Sequence, residues 1–251
     1  MAVVAAGGPI GAVAASIYTP MGRQHLVERI GHRGAKRELP ENTIAAFKRA
    51  FDRGADAIEL DVHATSDGVV VVHHDRTLGG GFRGFAGRAI AELDWRTLAS
   101  ASESAATRIP TLTDVFAIVP QGGTVYVEIK GIGIEALVAQ VVSSARIRSA
   151  VHSFDHQCIE LMRVLAPTVP RGILIDQEKA DTDVLAAMAR AGARDVWPEW
   201  TMIDRALVER VHGAGGRVIA WTVNDITTAA TLVGMGVDGV CTDDVRILDA
   251  L

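Results

Sequence analysis

Cysteine is nearly absent: Cys158 and Cys241 are the two in 251 residues, and no Cys-x-x-Cys pair exists. That scarcity excludes a zinc ribbon or a disulfide framework and leaves each thiol as a small buried apolar group in a chain suited to a reducing compartment. An excess of cations is missing as well. The formal net charge is -5 and the pI about 5.9, which argues against a broad face for nucleic acid, because phosphate backbones are bound through many Lys and Arg. No apolar run reaches the roughly 20 residues that span a bilayer. The uncharged stretch 1–18 comes closest, but it has no positive n-region and is broken by Pro9 and its glycines, so 1–26 reads as an extension packed on the base of the main domain or partly mobile. The chain is expected to be cytoplasmic, with secretion the minority reading. A Walker loop, a Gly-x-Ser-x-Gly elbow and a dinucleotide fingerprint after the first strand are also lacking.

What is present is enough apolar material for one large core, 49% of residues, against 22% charged. Strand-length apolar runs at 27–31, 57–63, 69–74, 124–129, 150–153, 172–175, 195–197, 217–222 and 237–241 alternate with segments of helical periodicity such as Ile44, Phe47, Ala50 and Phe51. Alternation of this kind predicts an α/β protein, a single TIM-type (β/α)8 barrel occupying 27–251, with one strand to spare. Asn42 or Thr43 is placed to cap the first helix and Gly54 to stop it.

One connection breaks the alternation. Only Ser66-Asp67-Gly68 separates two strand runs, too few residues for a parallel crossover, so those runs pair as an antiparallel hairpin turning between Ser66 and Val69. With Asp67-Gly68 as a two-residue loop, Asp61 stands opposite His74, and Glu59 shares that face while His73 points away. After His74 comes a glycine-rich irregular insertion, 75–110, placed to cover a ligand or to form a solvated excursion with a short helix near 90–98.

The chemistry-bearing residues gather where strands end. Glu59-x-Asp61 puts two carboxylates on one face of one strand, and Glu128 in Val127-Glu128-Ile129-Lys130 is the obvious third oxygen donor for Mg2+ or Ca2+; the competing reading is a set of salt bridges. His32 follows the first strand, and two histidines across a phosphate can divide proton uptake and delivery. Arg33 and Lys130 are the cations best placed to hold phosphate oxygens or to neutralise the carboxylates. Trp221 ends a late strand, where it walls a small organic group or fills the core. Glu41 can reach the site or favour a helix N-terminus. His63, His73, His152 and His156 are read as structural, with a reservation for His152 at its strand end.

Taken together, His32-Arg33-Gly34, Pro40-Glu41-Asn42-Thr43, Glu59-x-Asp61, Val72-His73-His74-Asp75, Glu128-x-Lys130, Trp221-Thr222-Val223-Asn224 and Thr242-Asp243 resemble, in order, the motifs of the glycerophosphodiester phosphodiesterase family, from about Ile30 to the C-terminus. The resemblance implies a barrel that hydrolyses small-molecule glycerophosphodiesters to an alcohol and glycerol 3-phosphate with one divalent cation. It implies that Glu59, Asp61 and Glu128 hold the metal, that His32 and His74 are acid and base in an order left open, and that Arg33 and Lys130 contact phosphate. Departures are the stretch Gly79-Gly80-Gly81-Phe82-Arg83-Gly84 in place of an arginine- and threonine-rich one, and the apolar extension before Gln24. Rival readings are a lysophospholipase D or sphingomyelinase D-like enzyme, with Phe82, Phe85 and the apolar N-terminus as a membrane-facing lip, a membrane contact that is not the favoured reading, and a non-catalytic phosphate-binding barrel. Oligomeric state is not encoded in any pattern here.

Overall fold

The computed structural model describes residues 27–82, 84–101 and 108–251; the extension 1–26 lies outside them. The strands are β1 (Glu28–His32), β2 (Ala57–Ala64), β3 (Val70–Val72), β4 (Thr124–Ile129), β5 (Arg148–Ser153), β6 (Arg171–Ile175), β7 (Asp195–Pro198), β8 (Arg217–Ala220) and β9 (Gly239–Thr242). All but β3 are parallel and run in the order β1-β9-β8-β7-β6-β5-β4-β2, and β1 pairs with β2 to close the barrel. The spare strand, β3, lies antiparallel on β2.

The helices are α1 (Ile44–Asp52), α2 (Trp95–Ala101), α3 (Leu112–Phe116), α4 (Glu135–Ser144), α5 (His156–Leu165), α6 (Val184–Ala191), α7 (Arg205–Gly213) and α8 (Ile226–Met235). Most begin on a side-chain cap that satisfies a free backbone N–H: Thr43 accepts from Ala46, Asp155 from Gln157 and Cys158, Asp204 from Leu207, and Asp225 from Thr228. Thr43, rather than Asn42, is therefore the cap of α1.

Side chains alternate across each strand and sort into two layers. In β2 the outward Ile58, Leu60 and Val62 join the large cluster between sheet and helices, whereas Ala57 joins the small interior cluster of Ile30, Tyr126, Ala150, Leu174, Trp197, Ile219 and Cys241. Two and four residues beyond Ala57 on the same face come Glu59 and Asp61, so the apolar plug at the barrel's base gives way to acid toward its C-terminal mouth. Both cysteines are free and buried, as their scarcity suggested.

The hairpin differs from the expected register by one residue. Thr65 N–H bonds to Val69 O at 3.0 Å and Gly68 sits at φ +84°, so Ser66-Asp67-Gly68 is a three-residue loop with glycine at its left-handed position. Val62 then faces Val72, and the N–H of His73, not His74, bonds to Asp61 O at 3.0 Å. Because β3 ends at Val72 and the last cross-strand bond is that of His73, the cross-strand rule has no hold on His74. His73 packs edge-on against Phe82, with ring centroids 5.9 Å apart, and it is His74 that turns toward the barrel mouth.

The insertion has its own core of Val71, Leu78, Phe82, Ile90, Leu93, Leu98, Ala101 and Ile109. It is tied to the hairpin by Ser66 N–H to Leu93 O and Trp95 N–H to Asp67 Oδ1, both 2.9 Å. Phe82 is consequently buried rather than displayed on a lip.

Gly34 carries the tightest backbone approach, with φ +83° and an added Cβ only 2.6 Å from the Ala46 carbonyl carbon of α1. Gly34→Ala is expected to destabilise the fold by more than about 1 kcal/mol, combining left-handed strain with a backbone clash; chemical denaturation at matched m-value checks it.

Candidate active site

Strand register brings the chemistry together. His32 lies beside Glu59, Asp61 beside Glu128, and Glu128 beside His152 on neighbouring parallel strands. These residues open on a cavity of about 390 Å3 at the mouth, lined among others by His32, Arg33, Lys36, Glu59, His74, Glu128, Lys130, His152, Trp221 and Asp243. No described residue of 75–110 lines it. A cavity of about 420 Å3 at the opposite end is lined by Glu28, Tyr126, Arg148, Arg194 and Arg217 and carries no histidine.

Two of the three histidines lining the mouth are held through Nδ1. His32 pairs with Asp243 Oδ1 at 2.5 Å, and His74 with Asp75 Oδ1 at 2.7 Å. Asp243 is itself fixed by Asn224, whose Nδ2–H donates to Oδ2 at 3.0 Å and whose Oδ1 accepts the Asp243 N–H at 2.9 Å. Burial works against ionisation of Asp243, but its hydrogen bond and charge interaction with His32 and the Asn224 amide win, lowering it to about 2. With Nδ1 taken as donor, Nε2 of each ring is the nitrogen left to accept or deliver a proton.

The carboxylates are deeply buried: Asp61 is 0% exposed, Glu59 3% and Glu128 7%. Their compensation comes from a loop bent unusually hard, with Arg33 at φ +54° and Asn42 at φ +56°. That bend lets Arg33 Nε ion-pair with Asp61 Oδ2 at 3.0 Å while Asn42 Nδ2–H donates to the same oxygen at 2.8 Å. Arg33 also donates from Nη1 to Glu41 Oε1 at 2.9 Å and from its backbone N–H to Glu59 Oε2 at 3.2 Å. Lys130 Nζ donates to Glu128 Oε1 at 3.1 Å and stands 3.6 Å from Asp61 Oδ1. Burial alone would lower the pKa of Arg33 and of Lys130, yet the surrounding carboxylates raise both above their ordinary values. Asp61 is driven low by these cations against its burial. Glu128 goes the other way: burial and the neighbouring Asp61 push its carboxyl up to about 7 despite Lys130.

Every sequence-derived site residue except Asp61 lines the mouth cavity; Asp61 lies behind it, in contact with Arg33 and Lys130. Trp221 forms one wall, donating Nε1–H to Trp197 O at 2.8 Å and meeting Phe154 edge-on at 5.4 Å. Of the histidines read as structural, His63 bonds to His74 O and His156 to Leu174 O. His152 is different, being buried in the cavity floor. Its inward parity with Ala150 on β5 was the available signal. Asp243 and Asn224 belonged to quoted motifs, but nothing in sequence spacing connects them to His32 across 211 residues.

These residues fit a divalent cation. Glu59 Oε1 and Asp61 Oδ1 are buried oxygens without a hydrogen bond, and donor atoms of Glu59, Glu128 and His152 lie within 4.8 Å of one another. Hard carboxylate oxygens left without a hydrogen bond, with an imidazole beside them, are a donor set such an ion takes.

Comparison with known proteins agrees with the geometry. The family model described as "Glycerophosphoryl diester phosphodiesterase family" matches residues 32–247. A glycerophosphodiester phosphodiesterase of Caldanaerobacter subterraneus subsp. tengcongensis is 36% identical over 233 residues, covering 87% of this chain and 95% of its own, and one of Bacillus altitudinis is 30% identical over 232 residues, covering 87% and 95%. The crystal structure of the glycerophosphodiester phosphodiesterase of Thermotoga maritima superposes with a TM-score of 0.78 at 26% identity, covering 89% of this chain and 97% of that one.

The shifts of Glu128 and Asp243 act on stability with opposite signs. A carboxyl raised from 4.5 to about 7 by burial costs stability once pH exceeds the unfolded value, and the cost is complete above 7. Glu128→Gln is therefore expected to stabilise the metal-free protein above pH 7 by on the order of 1–2 kcal/mol, with the gain vanishing below pH about 4.5; denaturation midpoints across pH test this. Asp243 has the opposite sign, lowered from 3.8 to about 2, so it contributes stability that is lost as pH falls through that interval. Asp243→Asn should flatten the acid limb of the same stability curve.

Proposed function

Since the chain belongs to the glycerophosphoryl diester phosphodiesterase family and is a phosphoric diester hydrolase, we propose that it cleaves glycerophosphodiesters to an alcohol and sn-glycerol 3-phosphate in the mouth cavity. Glu59, Asp61 and Glu128 hold one divalent cation, and His32 and His74 carry the protons. The observation that carries this reading is the pair of histidines, each pinned at Nδ1 by its own carboxylate and lining one cavity with the buried acids. A barrel that only bound phosphate ligands would have no use for two oriented proton carriers.

When bound, the cation polarises the phosphoryl oxygens and offsets their charge. The chain's own groups supply the rest. Arg33 and Lys130, kept charged by the acids around them, face the phosphate side of the cavity and hold its oxygens. A glycerol hydroxyl attacks phosphorus as its proton passes to Nε2 of one histidine. The departing alkoxide takes a proton from Nε2 of the other. Water then opens the resulting cyclic phosphate with the two roles exchanged. Asp243 and Asp75 stabilise whichever ring is transiently cationic and fix its tautomer. Trp221 and Phe154 wall the organic end of a small substrate, for which 390 Å3 is ample.

A coupled assay for released glycerol 3-phosphate over a panel of head groups tests this reading. Turnover should be abolished by a chelator and restored by added cation. His32→Ala and His74→Ala should each lower kcat by roughly 10²–10⁴-fold, the usual share of one acid-base group. Undiminished kcat in either variant removes that histidine from the mechanism.

A further inference from the structure

We infer that His152 is a nitrogen ligand of the divalent cation, so that this site prefers a borderline ion such as Mn2+, Co2+ or Zn2+ to Ca2+. The inference rests on the metal-dependent reading above and adds a donor to it.

His152 is 1% exposed, and neither ring nitrogen has a hydrogen-bond partner among the described residues. A core histidine with both nitrogens unsatisfied is an unfavourable arrangement that a purely structural role does not explain. Its surroundings supply the explanation. Nε2 lies 3.6 Å from Glu59 Oε1, which is also without a partner, and the two form with Glu128 a group of donors within 4.8 Å. A gap too long for a hydrogen bond, between two groups that each need a partner, has the dimensions an ion would bridge.

The ring is held in position before any ion arrives. Tyr126 stacks on it at 6.2 Å with an interplanar angle of 21°, and Trp197 meets it edge-on at 4.4 Å. Both aromatics belong to the interior plug, so the imidazole cannot swing away without opening a void there. Nε2 therefore faces Glu59, and a ligand role there places the ring proton on the other nitrogen.

Donor chemistry then sets the ion. Ca2+ takes oxygen ligands, whereas imidazole suits first-row ions of borderline softness. Three carboxylates alone would suit Mg2+ or Ca2+ equally well; a buried imidazole among them tilts the choice.

The test is binding, read without substrate. Metal-free protein is titrated calorimetrically with Mn2+ and with Ca2+, and the Mn2+ form is examined by electron spin-echo envelope modulation, which detects nitrogen bonded directly to manganese. The wild type should bind Mn2+ at least about tenfold more tightly than Ca2+ and show the nitrogen coupling. His152→Gln, which keeps the side-chain length, should lose that coupling and weaken Mn2+ by about tenfold or more, the scale on which even outer partners of a metal act. Bound Mn2+ without directly bonded nitrogen, or equal Mn2+ affinity in the variant, would overturn the assignment while leaving the phosphodiesterase reading intact. If the wild type binds no divalent ion and its turnover survives chelation, the metal-dependent reading falls and this inference with it.

Discussion

The mouth of this barrel is organised around the cost of holding three carboxylates out of water. Glu59, Asp61 and Glu128 sit on adjacent strands with almost no solvent contact, and unpaired charge in such a place is among the most unfavourable things a fold can contain. The rest of the site can be understood as partial compensation. Arg33 and Asn42 adopt left-handed backbone conformations, which non-glycine residues seldom do, and from there they reach Asp61 together. Lys130 divides itself between Asp61 and Glu128. Gly34 lets the same loop press against α1. Compensation stops short of completion, and the oxygens left over are those that a bound cation would satisfy.

His32 and His74 are held on a different principle. A carboxylate meets each of these rings at Nδ1 and so fixes its angle. Asp243 is in turn gripped by Asn224, so the last strand and the loop after β8 together orient a ring that emerges from the first strand. Closure of the barrel, with β9 lying against β1, is what makes that contact available. His74, also at the mouth, follows the short strand β3, beyond the end of regular pairing, and its direction is decided by the chain's exit from the hairpin rather than by sheet alternation.

The hairpin count and the structure agree that His74 rather than His73 faces the mouth, but the count reached it for an insufficient reason. Counting outward from a two-residue loop selected His74, but the loop has three residues and the count, correctly made, would have selected His73. His73 still makes one cross-strand hydrogen bond to Asp61, whereas His74 lies beyond the ladder. Gly68 in a left-handed conformation decides between the two loop lengths, and Ser66 and Asp67 are tied to the insertion through Leu93 and Trp95, a long-range contact with no local signature. His152 and Asp243 escaped assignment for a similar cause, since each acquires its meaning from a partner many residues away.

Local physics was enough for the strands, the capped helices, the parallel architecture, the antiparallel exception and the grouping of acids, histidines and cations at strand ends, because periodicity, turn chemistry and ordered motifs are properties of neighbouring residues. Tertiary structure alone decided the hairpin register, which nitrogen each histidine presents, the left-handed loop that neutralises Asp61, and the placing of an unsatisfied imidazole opposite an unsatisfied carboxylate. Those outcomes depend on distances between segments brought together only when the barrel closes, and a linear pattern carries no measure of such distances.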